Sequence, residues 1–348
     1  MSRTERMLAD VERGFEALEN GEIETAASIV ERCRRIDRKH PDVVLLAAAL
    51  ADAEGDTDAA LAEYRTLSEL QPDNPMPRIC IARLQLRELG DPGAALETLE
   101  AAFDFIDEEE DLIEAIYVRT EALVAEDQLE AARESLAELS TSVIEDPELA
   151  LDLGELALSA EDTETALRWI ETARAASRAA DREPEERDML EADALHLTGR
   201  VHEATGDRAA MVAAWKQVLA LDREAPADGL SITEDELEQI ALDTLAELPD
   251  DIRTRLEKVP ILIDDLPSED LVADGFDPRM LGIFQGPPMP QEGSALPAVT
   301  NILLFRKNLE RHAFDEDHLA EEIRITVLHE TAHYFGLDED DLEKLGLD

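Results

Sequence analysis

Residues 20–37 read NGEIETAASIVERCRRID, and a similar stretch, EGDTDAALAEYRTLSELQP, follows at residues 54–72. Gly21 and Gly55 hold the same place in the two stretches and lie 34 residues apart. The same frame, a turn followed by an amphipathic helix, begins again at Leu89, Ala125, Ala160 and Thr205. A fixed period of this length predicts helical hairpins that each bury an apolar face against the next hairpin.

Small side chains recur at two fixed distances from each turn. An alanine lies five residues after the glycine of each of the first three turns. The same distance holds in the fourth and fifth turns if Glu126 and Glu161 take the place of that glycine. These alanines are Ala26, Ala60, Ala95, Ala131 and Ala166. A second series, seven residues before the turn, consists of Gly14, Gly154 and Gly199. Small residues at both positions let the two helices of a hairpin approach closely.

The period and the small residues resemble the tetratricopeptide repeat, in about six copies from residue 1 to about residue 226. The resemblance implies an N-terminal α-solenoid of helical hairpins, which we assign to a domain of residues 1–227. Such solenoids commonly take a protein or a peptide in a concave groove, so we expect a protein or peptide partner there. The alternative is that the array only shapes, oligomerises or solubilises the chain.

The composition limits the partners of the protein. The 348 residues include 32 Lys and Arg against 84 Asp and Glu, which gives a net charge of -52. So much negative charge argues against nucleic acid and anionic membranes as partners, and it favours solubility. Neither a signal segment nor a membrane-spanning apolar run is present, so we expect a cytoplasmic protein. Cys33 and Cys80 lack CxxC spacing and are expected to be buried, inert thiols.

The helical period ends after residue 226. Pro226 and Gly229 interrupt it, and Thr233 with Glu236 then has the spacing of a capping box for a new helix. We therefore predict a second domain at residues 228–348. It contains three β-branched or apolar runs of strand length, and a helix follows them from about Asp315; the runs lie at 259–265, 282–286 and 300–308. A mostly α chain with a small α+β domain at its C-terminal end is the predicted fold class.

The stretch TVLHETAHYFGLDEDD, residues 326–341, carries the chemistry of this second domain. His329 and His333 are four residues apart, so on a helix both imidazoles lie on one face and can reach one divalent ion. Glu330 is rotated away from this pair and can hold its carboxylate beside the metal without binding it. This is the arrangement of a zinc peptidase in which the glutamate is the general base.

Catalytic zinc needs a third protein ligand. Only fifteen residues follow His333, too few for a distant glutamate on a second long helix. A turn after the helix gives the spacing H-E-x-x-H-x-x-G-x-x-E, in which Glu339 is the third ligand. The neighbouring Asp338 and Asp340 remain alternatives to Glu339.

Four segments, LGIFQG, ILLFRKNLE, TVLHETAHYFGL and LEKLG, follow one another between Thr233 and the last residue. In this order and spacing they resemble the bacterial minimal zincin-like metallopeptidase family. The resemblance implies a compact α+β metal domain, with His329, His333 and Glu339 as zinc ligands and Glu330 as the base. It also implies a weak peptidase activity without a defined substrate.

The sequence thus predicts a zinc-dependent metallopeptidase whose repeat domain recruits a substrate or a partner. We expect an extended substrate to add to the strand at 300–306. The alternative is a non-catalytic interaction scaffold with a structural or vestigial zinc site. His312 and His318 flank the start of the motif helix and are candidates for positions next to the metal ligands.

Overall fold

A computed structural model describes most of the chain. Apart from the side chains of Asp251, Ile252, Arg255 and Tyr334, it covers residues 2–179, 182–226, 229–256, 259–286 and 301–335. Helices dominate, and a small sheet lies in the C-terminal region, which confirms the predicted fold class. Within the described ranges no helix has both the length and the apolar composition to cross a membrane.

Up to residue 224, the described helices form six consecutive hairpins. The helices are α1 (Arg3–Glu19), α2 (Ile23–Arg34), α3 (Pro41–Ala53), α4 (Thr57–Leu70), α5 (Met76–Arg87), α6 (Pro92–Phe103), α7 (Glu109–Ala125), α8 (Leu129–Ala137), α9 (Pro147–Ser159), α10 (Thr163–Ala179), α11 (Pro184–Ala204) and α12 (Arg208–Glu224). A short 3₁₀ helix, Glu138–Thr141, follows α8.

The same type of backbone turn joins the two helices in most of these hairpins. In the first, the N–H of Gly21 donates to Leu18 O at 3.0 Å and the N–H of Glu22 donates to Ala17 O at 2.8 Å. This pair of bonds satisfies the last carbonyl groups of α1 and needs a residue with positive φ, which Gly21 supplies at 71°. Equivalent bond pairs occur after α3, α7, α9 and α11.

The fourth turn lies one residue later than the sequence predicts. Helix α7 continues to Ala125, so the residue with positive φ is Asp127, at 57°, and not Glu126. The small residue at the helix contact is consequently Ala132, which is fully buried, whereas the predicted Ala131 is partly buried. The other predicted alanines are fully buried as expected: Ala26, Ala60, Ala95 and Ala166.

Apolar contacts between successive helices form the core of the N-terminal hairpins. Met7 and Val11 of α1 pack with Val30 of α2 and with Leu46 of α3. Similar clusters join α3 to α4 and α5, and α5 to α6 and α7. The buried thiol of Cys80 lies in the first of these two clusters, and burial raises its pKa to about 11. Cys33 is also buried, so both cysteines are the buried thiols that the sequence predicts.

The described C-terminal elements are helices of 5 to 19 residues and three short strands. They are α13 (Glu234–Glu247), α14 (Asp250–Leu256), β1 (Ile261–Asp264), α15 (Glu269–Ala273), β2 (Gly282–Gln285), β3 (Asn301–Phe305), α16 (Arg306–His312) and α17 (Glu316–Tyr334). The capping box predicted at the start of α13 is present, with Thr233 and Glu236 bonded reciprocally. The three strands lie within the three runs that the sequence predicts.

Strand β3 lies in the middle of the described sheet. It pairs in parallel with β1, where Leu303 faces Leu262, and antiparallel with β2, where Leu303 faces Ile283. The expectation that a substrate adds to the strand at 300–306 is therefore wrong, because both edges of that strand are already paired. All five residues of β3 are buried, and residues of α13 and α17 cover it.

The chain divides into two compact units. One consists of Met1–Glu145 with Asp152–Trp169, and the other of Asp146–Leu151 with Ile170–Asp348. Helices α11 and α12 thus belong to the same unit as the sheet. The predicted domain boundary falls at residues 227 and 228, which lie outside the described residues, and it stays a prediction.

Candidate metal centre

Helix α17 carries both histidines of the motif. The Asp315 side chain caps it by accepting a hydrogen bond from the N–H of His318 at 2.7 Å, and acidic residues in its first turn suit the positive end of the helix dipole. Leu319, Ile323 and Val327 recur every four residues and are buried with Ile302 of β3. Burial of this stripe fixes the rotation of the helix and so the direction in which residues 329–333 point.

The two histidines converge on one point. Nε2 of His333 lies 3.0 Å from Nε2 of His329, and the two rings meet edge to face at 76°. Two nitrogens bound to one tetrahedral zinc at 2.0–2.1 Å lie about 3.3 Å apart. The pair thus fits a single metal ion after a small adjustment. In a metal-free chain the same separation suits an N–H···N hydrogen bond between the rings.

Glu330 lies on the same helix but faces the sheet. Its side chain is 7% exposed, and Oε2 accepts a short hydrogen bond from the backbone N–H of Phe284 on β2. A buried carboxylate needs such a donor, because burial without a hydrogen bond would strongly disfavour its charged form. The carboxylate is therefore held in place by a backbone group of the outer strand.

Gly282 lets β2 lie against α17. A Cβ atom at this position would come within 2.8 Å of Thr326 Cγ2 and 3.3 Å of Glu330 Cγ. Any larger residue would push the strand away from the helix, and the donor to Glu330 would move with it. The sequence predicts a strand here but not its contact with Glu330. The glycine at the start of this apolar run was the signal that could have indicated a close approach of another element.

The third predicted ligand lies outside the described residues, together with its competitors Asp338 and Asp340. In the part of the chain that the structure describes, no group of three or more His, Cys, Asp or Glu residues could hold a metal ion. The described residues thus bring two imidazole nitrogens together, and the buried carboxylate of Glu330 lies on the same helix. Binding by Glu339 stays a prediction.

His312 and His318 are far from this pair. Both contact the carboxylate of Glu322, at 3.5 Å and 3.2 Å, and the Phe314 ring stacks on His318. His318 precedes His329 by eleven residues on one helix, which corresponds to about 16 Å along the axis. The expectation that these two histidines lie next to the metal ligands is therefore wrong.

Comparison with protein families finds a match in each region of the chain. Residues 256–347 match the family described as zincin-like metallopeptidase, and residues 17–84 match the tetratricopeptide repeat. Both resemblances predicted from the sequence are thereby confirmed. No curated protein matches the sequence.

Solved structures resemble the repeat region. PilW, a widely conserved type IV pilus biogenesis factor, is 14% identical, with a TM-score of 0.52 over 63% of this chain and 94% of that one. Pseudomonas aeruginosa pilF is 18% identical, with a TM-score of 0.49 over 63% and 93%. A thermophilic TPR protein of Thermus thermophilus is 19% identical, with a TM-score of 0.44 over 54% and 98%. At such identities, the first of these likenesses supports the repeat fold alone, and repeats of this kind indicate protein–protein interaction.

Proposed function

We propose that the protein is a zinc-dependent metallopeptidase, in which His329 and His333 hold the metal and Glu330 is the general base. The observation that carries the proposal is the convergence of the two imidazole nitrogens, 3.0 Å apart, on the helix that also carries the buried carboxylate of Glu330. The family match over residues 256–347 supports the same activity. Glu339 is the proposed third ligand, and Asp338 and Asp340 remain its alternatives.

Zinc, when bound, would polarise the scissile carbonyl and make water a better nucleophile at neutral pH. The imidazoles of His329 and His333 must be neutral at Nε2 to bind it, so binding releases any proton held there. Nitrogen and oxygen donors of this kind are the set that zinc prefers.

Glu330 moves the proton in the proposed reaction. Its carboxylate takes a proton from the attacking water as the new C–O bond forms, and it later gives a proton to the leaving nitrogen as the C–N bond breaks. The hydrogen bond from Phe284 N–H to Oε2 would hold the carboxylate in place while it does so. Removing the acidic group while keeping its shape should therefore stop hydrolysis without disturbing the fold.

An extended substrate would pair with the outer edge of β2 rather than with β3. Leu281 O accepts a hydrogen bond from Phe305 N–H, so the alternate residues Gly282 and Phe284 direct their backbone groups away from β3. Phe284 N–H already donates to Glu330, so a peptide would pair with this edge beside that bond. Among the described strands this edge is the one beside Glu330. A peptide bound there would lie next to the carboxylate that acts on it.

The repeat region would recruit the substrate or a partner protein to this domain. Repeats of this kind offer extended surfaces to protein ligands, and the strongly negative chain favours ligands with basic groups. Removal of residues 1–145 should then weaken capture of a substrate more than it weakens hydrolysis of a short peptide.

Hydrolysis of a peptide library by the zinc-loaded protein tests the proposal. New termini are detected by mass spectrometry for the wild type and for Glu330→Gln. We expect the variant to keep its zinc and to lose at least about 100-fold in rate, because general base catalysis contributes that much. Glu322→Gln is the matched control, since this carboxylate lies on the same helix but contacts His312 and His318. Full activity in Glu330→Gln would refute the mechanism.

The second candidate function is an interaction scaffold with a structural zinc site. The burial of Glu330 and its bond to the backbone of Phe284 favour it, because a carboxylate held in this way can serve the fold alone. The two functions differ in what removal of the metal does. Removal of a structural zinc by a chelator unfolds its domain, and no peptide is hydrolysed before or after; removal of a catalytic zinc abolishes hydrolysis and leaves the domain folded.

A further inference from the structure

The sixth hairpin, α11 with α12, binds the loop that leads into β2. This loop, residues 277–281, carries Arg279, whose Nε and Nη2 donate to the two oxygens of Asp222 at 3.0 and 3.2 Å. Nη1 of Arg279 donates to Asp193 at 2.6 Å. Asp222 lies on α12 and is 3% exposed, and it also pairs with Arg311 of α16 at 2.6 Å. One buried carboxylate thus joins α12 to the loop and to α16.

A second contact holds the start of the same loop. Nε2 of His196 on α11 lies 2.9 Å from both carboxylate oxygens of Asp277. One of these oxygens also accepts the backbone N–H of Arg279 at 2.7 Å. Burial alone would raise the pKa of the Asp277 carboxyl, but the hydrogen bond and charge of His196, with the Arg279 N–H and charge, hold that pKa below its usual range. Charged contacts with both helices of the hairpin therefore fix the loop.

The opposite side of the loop is tied to α16 and β3. The buried side chain of Asn308 donates from Nδ2 to the carbonyl oxygens of Pro278 and Met280, at 2.9 and 2.8 Å. Phe305 N–H donates to Leu281 O at 2.9 Å. With both sides bonded, the loop has little freedom to shift relative to the sheet.

The position of the loop sets the position of the Glu330 carboxylate. Strand β2 begins immediately after the loop, at Gly282, where it lies close against Thr326 and Glu330. Two residues further, Phe284 N–H donates to Glu330. A displacement of the loop would therefore change the direction of the carboxylate, and small misplacements of a catalytic group are costly.

We propose that Arg279 is a positioning residue for Glu330, and that α11 and α12 support the site through Asp193 and Asp222. This inference rests on the proposed function, in which Glu330 is the base. The planar guanidinium suits the role, since its fixed fork of donors holds two carboxylates in one geometry, which a lysine cannot do. The sixth hairpin is then a working part of the site rather than only the end of the repeat array.

A matched control exists on the same helix. Arg223 of α12 pairs with Glu269 of α15 at 2.7 Å, but both side chains are largely exposed and the pair lies outside the loop. Exposed pairs contribute little, so Arg223→Gln should leave β2 unchanged.

Amide hydrogen exchange of the full-length protein tests the proposal without relying on activity. The peptide covering residues 281–286 is followed by mass spectrometry in the wild type, Arg279→Gln, Arg279→Lys and Arg223→Gln. We expect its amides to exchange at least about tenfold faster in Arg279→Gln, with a smaller rise in Arg279→Lys, while α1 to α6 keep their wild-type rates. Wherever a peptide is hydrolysed, Arg279→Gln should lower kcat more than it raises KM.

Wild-type exchange of residues 281–286 in a folded Arg279→Gln variant would overturn the proposal. Should this variant not fold, Asp193→Ala removes the acceptor of a single bond, and the same amides should then exchange severalfold faster. The two proposals fail separately. A response of β2 without hydrolysis by any variant refutes the peptidase and keeps the positioning role, whereas a Glu330-dependent peptidase with unaltered β2 exchange refutes the positioning role alone.

Discussion

The first hairpin, α1 with α2, and the sixth, α11 with α12, are closed by the same type of backbone turn. Their helices, however, make different contacts with the rest of the protein. In the first, Gly14 lies against Leu46 and Ile29, and α1 packs with apolar residues of α2 and α3. In the sixth, Gly199 lies against Trp215, and charged residues of α11 and α12 bind the loop before β2. The repeat sets the hairpin geometry in both, whereas the surrounding contacts decide its role. A repeat at the end of an array can thus become part of a neighbouring domain.

The largest expected effect comes from Asp222, which is buried, whereas Asp37, at the same distance from the turn glycine in the first hairpin, is exposed. Asp222→Ala leaves Arg279 and Arg311 without their shared buried carboxylate. Loss of one partner in a buried ion pair costs about 3–5 kcal/mol, and we expect the free energy of unfolding of the second unit to fall by that amount. Urea unfolding followed by Trp215 fluorescence measures it, in a Trp169→Phe background. Arg223→Gln should lower the free energy of unfolding by less than about 1 kcal/mol. A loss as large as that of Asp222→Ala would contradict the explanation, because burial of the ion pair would then make no difference.

A pair of glycine variants sharpens the comparison. In Gly199→Ala the new Cβ would lie 2.0 Å from Nε1 of Trp215, a fully buried indole that cannot move away. In Gly14→Ala it would lie 2.5 Å from a terminal methyl of Leu46, which is equally buried but is the end of a smaller and more flexible side chain. We expect a destabilisation of about 2–3 kcal/mol for Gly199→Ala and about 1 kcal/mol or less for Gly14→Ala, since alanine also favours the helix. Thermal unfolding checks both, and the reverse order would contradict this explanation.

The smallest effect depends on pH. The folded-state pKa of Asp277 is lowered, so its contribution is complete above the unfolded pKa of about 3.9 and is lost as the pH falls through the folded value. We expect Asp277→Asn to cost about 1.5 kcal/mol at neutral pH, and this cost to shrink below about pH 4. Urea unfolding between about pH 3 and pH 7 measures the difference. Glu269→Gln is the control with an exposed carboxylate, and a pH-independent cost in Asp277→Asn would contradict the assignment.

The regular parts of the fold could be predicted from the sequence because they depend on local patterns. The 34-residue period, the Thr233 and Glu236 capping box and the apolar runs of the three strands each act within a short stretch of chain. The fourth turn was misplaced because AED occurs at both 125–127 and 160–162, and the sequence does not show that α7 ends at Ala125. Strand order is also not local, so the central position of β3 could not be read from its composition.

The candidate site was predictable only in part for the same reason. His329, Glu330 and His333 follow from one motif on one helix, where the spacing alone brings the imidazoles together. The donor to Glu330 is a backbone N–H of a strand 46 residues away, which no side-chain pattern reveals. The ion pairs of Arg279 span even longer separations, 57 and 86 residues, and depend on the packing of the sixth hairpin.

Metal content tests the central claim most directly. The purified full-length protein, His329→Ala and His318→Ala are compared by plasma emission spectroscopy after incubation with zinc and removal of the excess. The predicted result is about one zinc per chain in the wild type and in His318→Ala, and none in His329→Ala. A folded wild type without zinc, or equal zinc in His329→Ala, would contradict the metal centre and the peptidase that depends on it.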